Sequence, residues 1–299
     1  MASSEARVLG TGGVELAVHH LGGSGPPVML VHATGFHGRC WTPLARTLTG
    51  SFSVWAIDQR GHGASGKAPD GRYDDWEVFA HDLLAAVDAL GGSGWRAAGH
   101  SLGGGVSLLA EARRPGTFAS ICCYEPVAVP PAGSEAALPP SDNPLAVLAR
   151  KRRETFPSRE AALANYRSKP PFARFDPEAL RCYVEYGFVD QPEGSVTLAC
   201  RRDDEAAVFD GAAVSPAWSA LPQVRAPVAV LGGADPQDQV GRLAPEVARR
   251  LPRGGYRLFP ELDHFGPMTA PQEVGLVMET ALWGGAEGPS STNVDTPPK

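Results

Sequence analysis

Ser101 lies in the run Gly99-His100-Ser101-Leu102-Gly103, a serine with a glycine two residues away on either side. Such a setting suits a sharp strand-to-helix turn, where close backbone approach leaves no room for neighbouring side chains and the hydroxyl projects outward. In a chain with 35 glycines among 299 residues the pattern means little without context. The context is present: the strand-like WRAAGH at 95–100 precedes it, and a small-residue, helix-compatible stretch at 103–113 follows. The N-terminus of that helix would offer backbone N–H groups to a developing oxyanion.

A serine hydroxyl is a weak nucleophile near neutral pH, so it needs a base, and the base needs an acid to fix its tautomer. The expected base is His264, in Asp263-His264-Phe265-Gly266, between a short strand and the last helix. The expected acid is Asp235, in Leu231-Gly232-Gly233-Ala234-Asp235, at the end of a strongly apolar strand. Glu125, which closes the strand after the nucleophile helix, is the other candidate. Asp263 adjoins the histidine, and adjacent side chains diverge, so a turn or capping role is expected for it. For the oxyanion, the backbone N–H of Leu102 is one expected donor. Val31-His32-Ala33-Thr34-Gly35-Phe36 supplies the second, Thr34 first and Phe36 next, with His32 as a structural loop histidine.

Placing these residues requires alternating strands and helices. Short β-like runs at 14–21, 27–32, 52–58, 95–100 and 118–125 alternate with helix-like stretches, the pattern of a parallel sheet with crossover helices. The middle runs are almost continuously apolar, as strands covered on both faces must be. Trp76, Phe79, Leu83, Val87 and Leu90 fall at helical spacing. From 126 to 140 the chain is crowded with Pro, Ala and Gly. Helix starts follow at Asn143-Pro144, Ser158 and Asp176-Pro177. The β/α rhythm returns at 226–233, with a helix expected at 240–251, a strand at 256–259 and a helix at 271–283. The reading is therefore a core of 1–125 and 217–283, a helical insertion over 126–216, and a disordered Gly/Ser/Thr/Pro tail over 284–299.

Composition narrows the function. A net charge of -6 with mixed signs argues against nucleic acid as a partner, and the run Arg150-Lys151-Arg152-Arg153 is expected to be a solvated helix face. Five cysteines with no C-x-x-C pair and no zinc-like histidine spacing predict no disulfide framework, no metal and no cofactor. The absence of a signal-like N-terminus and of a long apolar run predicts a cytoplasmic protein without membrane contact.

Taken together, His32-Ala33-Thr34-Gly35, Asp58-Gln59-Arg60-Gly61-His62-Gly63-Ala64-Ser65, Gly99 to Gly103, Asp235 and His264 resemble the α/β-hydrolase superfamily over residues 5 to 283. The resemblance implies a doubly wound, mostly parallel α/β sheet with a helical cap acting as a lid. It also implies that His62 and Ser65 belong to a structural turn, and that some relatives take their acid from the position of Glu125. Serine at the nucleophile sets the chain apart from relatives with aspartate there. The expected function is hydrolysis of a carboxylic ester, lactone or thioester of a small to medium apolar substrate through an acyl-enzyme, an esterase-like activity. Phe36, His100, Phe172, Phe175, Tyr183 and Tyr186 are expected to line the substrate pocket. Carbon–carbon bond hydrolysis, acyl transfer and cofactor-free peroxidation would use the same residues. A non-turnover small-molecule receptor is the alternative of another class.

Overall fold

The computed structural model describes residues 4–131, 143–235 and 241–284. The expected tail lies almost wholly outside the described residues, as do part of the Pro-rich stretch after Glu125 and residues 236–240. The chain opens with a hairpin, β1 (Glu5–Leu9) and β2 (Glu15–Gly22), followed by β3 (Pro27–Val31), α1 (Thr42–Leu48) and β4 (Ser53–Ile57). Next come α2 (Trp76–Leu90), β5 (Trp95–His100), α3 (Leu102–Arg113) and β6 (Phe118–Tyr124). Asp75 begins α2 by accepting the Glu77 N–H on its side chain, satisfying a donor that the helix itself cannot.

A segment outside the main sheet then intervenes. It holds α4 (Pro144–Arg150), β7 (Thr155–Phe156), α5 (Arg159–Arg167), α6 (Pro177–Tyr186), β8 (Phe188–Asp190), β9 (Val196–Leu198), α7 (Arg202–Gly211) and α8 (Ala217–Ala220). Asn143, Ser158 and Asp176 cap α4, α5 and α6 with side-chain acceptors, as their residue types predict. The segment is not purely helical: β7, β9 and β8 form a small antiparallel sheet. The core resumes with β10 (Val228–Gly233), α9 (Ala244–Arg250), β11 (Gly254–Phe259), α10 (Gly266–Thr269) and α11 (Pro271–Leu282).

The eight core strands lie in the order β1-β2-β4-β3-β5-β6-β10-β11. β1, β2 and β4 pair antiparallel, and every pairing from β4 through β3 to β11 is parallel. Both faces of this sheet are covered. Met29, Val31, Ala97, Ile121 and Val230 pack with residues of α2, α3 and α9 on one face. Val28, Leu30, Ala98, Cys122 and Leu231 pack on the other with α1, α11 and the aromatic side chains of α5 and α6. Successive strand residues thus point into two different cores, so the strands read as continuous apolar runs. β3, β5, β6, β10 and β11 all run the same way, and the residues following each of them gather at one edge, where open α/β sheets bind ligands.

Candidate active site

Ser101 occupies the turn between β5 and α3 with φ 55° and ψ −116°. Positive φ costs a residue with a Cβ about 1–3 kcal/mol. Two flanking glycines let the turn close: a Cβ on Gly99 would stand 2.4 Å from the Gly103 carbonyl oxygen, and one on Gly103 2.1 Å from the Val31 carbonyl oxygen. Backbone bonds hold the turn from the next strand, with Ser101 N–H donating to Tyr124 O (3.0 Å) and Val127 N–H donating to Ser101 O (3.1 Å).

The only other described non-glycine residue with positive φ is Glu125, at 44°. It directly follows β6, beside the serine turn. Its N–H donates to Leu231 O (2.8 Å), and its carboxylate is buried with only 1 % exposure. Oε1 accepts the Gly233 N–H at 2.6 Å, and Oε2 meets His264 Nδ1 at 2.5 Å. The carboxylate therefore fixes Nδ1 as the protonated nitrogen and leaves Nε2 as the basic one.

The carboxylate seen against His264 Nδ1 is thus that of Glu125, where that of Asp235 was expected. β10 ends at Gly233, and its terminal N–H is already bound by Glu125; Asp235 stands two residues further out, exposed. There it borders an open pocket of about 320 Å³ with Arg174, Glu261 and Asp263. The strained backbone at Glu125 turns its carboxylate inward, and the sequence carries no local mark of that turn.

His264 is carried by a loop anchored at several points. Tyr124 Oη donates to Asp263 O (2.8 Å), Phe265 N–H donates to Asp263 Oδ1 (2.9 Å), and Arg174 pairs with Asp263 Oδ2 (2.9 Å). Asp263 thus has the turn role expected of it. His100 Nε2 contacts the His264 carbonyl oxygen at 2.7 Å, and the two rings lie 5.0 Å apart between centroids. His100 is 1 % exposed, enclosed by Trp41, Tyr124, Phe36 and Phe265. It holds the base loop rather than lining an open pocket, contrary to expectation.

The loop after β3 commits most of its donors internally. Phe36 N–H donates to Ala33 O and Gly35 N–H to His62 Nε2, both at 3.1 Å. The N–H groups of Thr34 and Leu102 donate to no other described residue. Phe36 is thereby removed as a backbone donor while Thr34 stays available. His32 Nε2 accepts the Gln59 N–H (2.9 Å) while Nδ1 faces Ala33 O (2.7 Å). Burial lowers its pKa to about 4, so at neutral pH the ring is an uncharged brace. His62 is likewise pushed well down by burial and the nearby His32. Asp58 accepts N–H groups from Gly38 (2.6 Å) and Ala64 (2.7 Å), and Ser65 Oγ donates to Asp58 O (2.5 Å). Asp58, Gln59 and His62 thus brace the 32–38 loop through Gly38, His32 and Gly35.

Above that loop sit the aromatic side chains. Phe36 packs against Tyr183, Phe265 and Phe175 at 5.2, 6.1 and 6.2 Å between centroids, and Phe172 joins Phe175 and Tyr183 at 5.1 and 5.2 Å. Tyr186 is not among them. It ends α6 at 46 % exposure with the Arg39 guanidinium 4.8 Å over its ring, so it faces outward. The basic run also departs from expectation: Arg150 pairs with Asp210 at the surface, but Arg152 turns inward to Glu205, Tyr166 and Tyr183. Neither Arg152 nor the buried Glu205 has a local sequence signal, since each is placed by packing between α4 and α7.

A model of the alpha/beta hydrolase family matches residues 28–275. The chain belongs to that family. This alpha/beta hydrolase family member is 35% identical to human monoglyceride lipase over 112 residues, 35% of this chain and 37% of the lipase. It is 39% identical to the pimeloyl-[acyl-carrier protein] methyl ester esterase of Methylococcus capsulatus over 101 residues, 33% of this chain and 36% of the esterase. A third relative, the 2-(acetamidomethylene)succinate hydrolase of Mesorhizobium japonicum, is 32% identical over 103 residues, 34% of this chain and 36% of that protein. These matches span little more than a third of each relative. Over the whole fold, the family member superposes on a crystal structure of E-2-(acetamidomethylene)succinate hydrolase with a TM-score of 0.80 and 23% identity, covering 95% of this chain and 100% of the other. An esterase from Thermogutta terrifontis gives a TM-score of 0.67 at 22% identity, covering 94% and 98%. Among the described residues, no group of three or more His, Cys, Asp or Glu side chains is arranged to hold a metal ion. No described helix is long and apolar enough to cross a membrane.

Proposed function

We propose that the protein is a serine hydrolase that cleaves a carboxylic ester, lactone or thioester of a small to medium apolar substrate through an acyl-enzyme. The observation that carries this reading is the 2.5 Å contact between Glu125 Oε2 and His264 Nδ1, on a loop tied by His100 to the strained turn of Ser101. Ser101 Oγ attacks the carbonyl carbon while His264 Nε2 takes the hydroxyl proton, and Glu125 stabilises the imidazolium that forms. The carbonyl oxygen becomes an oxyanion held by the N–H groups of Leu102 and Thr34, at the positive end of α3. Collapse of the tetrahedral species expels the alcohol or thiol, which takes the proton from His264. Water, activated by the same histidine, then attacks the acyl-enzyme and releases the acid.

The wall formed by Phe36, Phe172, Phe175, Tyr183 and Phe265 favours an apolar acyl or ring group. Ser101 is only 7 % exposed, and the described part of the expected lid, residues 126–131 and 143–216, must shift for substrate to enter. The names of the lipase and methyl ester esterase relatives are consistent with acyl-ester chemistry. The protein acts on a small-molecule substrate in the cytoplasm, without a cofactor. Labelling with a fluorophosphonate probe tests the reading: the folded protein becomes labelled at Ser101 and Ser101→Ala does not. Absence of labelling in folded protein, together with no ester turnover, overturns it.

A further inference from the structure

One buried ion pair stands directly on the loop that carries Thr34. Arg152 follows α4, and its guanidinium donates to Glu205 on α7, to Tyr183 Oη at 2.6 Å and to Tyr166 Oη at 3.0 Å. Glu205 is 5 % exposed. A Cβ on Gly35 would lie 2.5 Å from Glu205 Oε1 and 3.3 Å from Arg152 Nη1, so both charged groups touch the residue next to Thr34. Gly35, Phe36, Arg152 and Tyr183, with Leu198 to Cys200, enclose about 10 Å³ here, room for little more than one water. Despite burial, the facing Tyr183, Glu205 and Tyr166 groups keep the Arg152 guanidinium charged.

A guanidinium backed by two tyrosine hydroxyls is a ready receptor for a carboxylate. Here the carboxylate comes from the protein. We infer that Glu205 is a specificity-determining residue: by occupying Arg152 it restricts the acyl group over the 32–36 loop to neutral chains and excludes acyl groups ending in a carboxylate. This rests on the ester-hydrolase reading above. Phe36 and Tyr183 line both this small space and the aromatic wall beside Thr34, so the end of a short acyl chain that displaces its contents meets Glu205 there, and an anionic end finds Arg152 already paired. Discrimination of this kind depends on a repulsive element as much as on attractive ones.

The test compares 4-nitrophenyl butyrate with 4-nitrophenyl hemisuccinate, acyl groups of equal carbon count that differ in the terminal carboxylate. The wild-type protein is expected to favour butyrate in kcat/KM by at least about 30-fold, and Glu205→Gln to shift that ratio toward hemisuccinate by about 10- to 100-fold. A wild-type preference for hemisuccinate overturns the inference, as does an unchanged ratio in Glu205→Gln. Glu205→Gln leaves Arg152 without its counter-charge and can lose stability, so the paired variant Arg152→Met with Glu205→Leu, which removes both charges, is measured alongside. It should gain nothing for hemisuccinate; an equal gain there assigns the effect to added space and overturns the charge argument. Binding supplies a readout independent of turnover. Millimolar glutarate should raise the melting temperature of Ser101→Ala/Glu205→Gln and leave Ser101→Ala unmoved, and equal stabilisation of the two overturns the inference even if no ester is hydrolysed. Loss of turnover on both esters, with this binding difference intact, instead removes the ester-hydrolase reading.

Discussion

The sheet edge and the segment above it hold their polar groups in different ways. At the edge, Ser101 and Glu125 are fixed by main chain: backbone bonds to Tyr124, Val127 and Leu231, and glycine contacts no other residue could make. Above it, positions are set by long side chains: Arg152 on Glu205, Arg174 on Asp263, Arg46 on Glu178, and Lys67 on the Ala199 carbonyl oxygen. A main-chain cradle is insensitive to most side-chain replacement, whereas one substitution rearranges a side-chain clamp. On the function proposed above, the difference separates a fixed reaction centre from an adjustable recognition layer.

The largest effect that would break this contrast lies at the edge. Ser101→Ala should abolish ester turnover, and Glu125→Gln should lower kcat by about 10²- to 10⁴-fold, because the histidine loses the acceptor that fixes its tautomer. Asp235→Asn should change kcat by less than about threefold. Steady-state kinetics on a 4-nitrophenyl ester decide, and a large loss in Asp235→Asn alone would return the acid role to that residue.

Next comes the cradle itself. Gly103→Ala places a methyl group 2.1 Å from the Val31 carbonyl oxygen, main chain that cannot step aside. A loss of roughly 3 kcal/mol or more in urea unfolding is expected, from strain of the overpacking kind.

The pH dependence of stability sharpens the same point. His32 has its pKa lowered from 6.5 to about 4 by burial, so the unfolded chain takes up a proton in that interval that the native state refuses. Its contribution is complete above pH 6.5 and falls away as the pH drops toward 4, with His62 acting in the same direction. The total for His32 is on the order of 3 kcal/mol. Below that range Asp58 takes over. Burial pushes its carboxyl up, but the His19 hydrogen bond and the neighbouring histidine charges win and hold it below the usual carboxylate range, so its contribution fades only in stronger acid. Urea unfolding of wild type and His32→Gln between pH 7.5 and 4 should show a shallower slope in the variant.

The smallest effect is expected above the sheet. Arg174 pairs with Asp263 from a side chain 56% exposed, and such pairs contribute about 0–1 kcal/mol. Arg174→Ala should lower the unfolding free energy by less than about 1 kcal/mol, and 0.5 M salt should shrink even that difference. A loss several times larger would mean that the segment is fastened more rigidly than its side-chain contacts imply.

Legibility in the sequence follows the same division. Where geometry follows from local periodicity or from a helix-starting residue, the elements were readable: β3, β5, α2, and the starts of α4, α5 and α6. The edge strand β1 was not, because EARVL is mostly exposed and carries little alternation. α1 has only seven residues, and the strands β7, β8 and β9 have two or three, too short to establish a period. The places of Ser101 in a strand-to-helix turn and of His264 in the loop between β11 and α10 could be read from their motif and strand-end positions. The choice between Glu125 and Asp235 could not, since it depends on a φ of 44° and on which strand end reaches the imidazole. Arg152 in a run of four basic residues looked like solvated surface, and only the packing of α4 on α7 turns it inward.

Glu125 also imposes an order on synthesis. Its two oxygens are met by Gly233 and His264, both added to the chain long after β6 has left the ribosome. Until β10 docks beside β6, this carboxylate has neither partner, and the edge that carries it cannot become dry. The emerging protein therefore holds this corner open to water until the chain has been made past His264, and the corner closes as β10 joins the sheet.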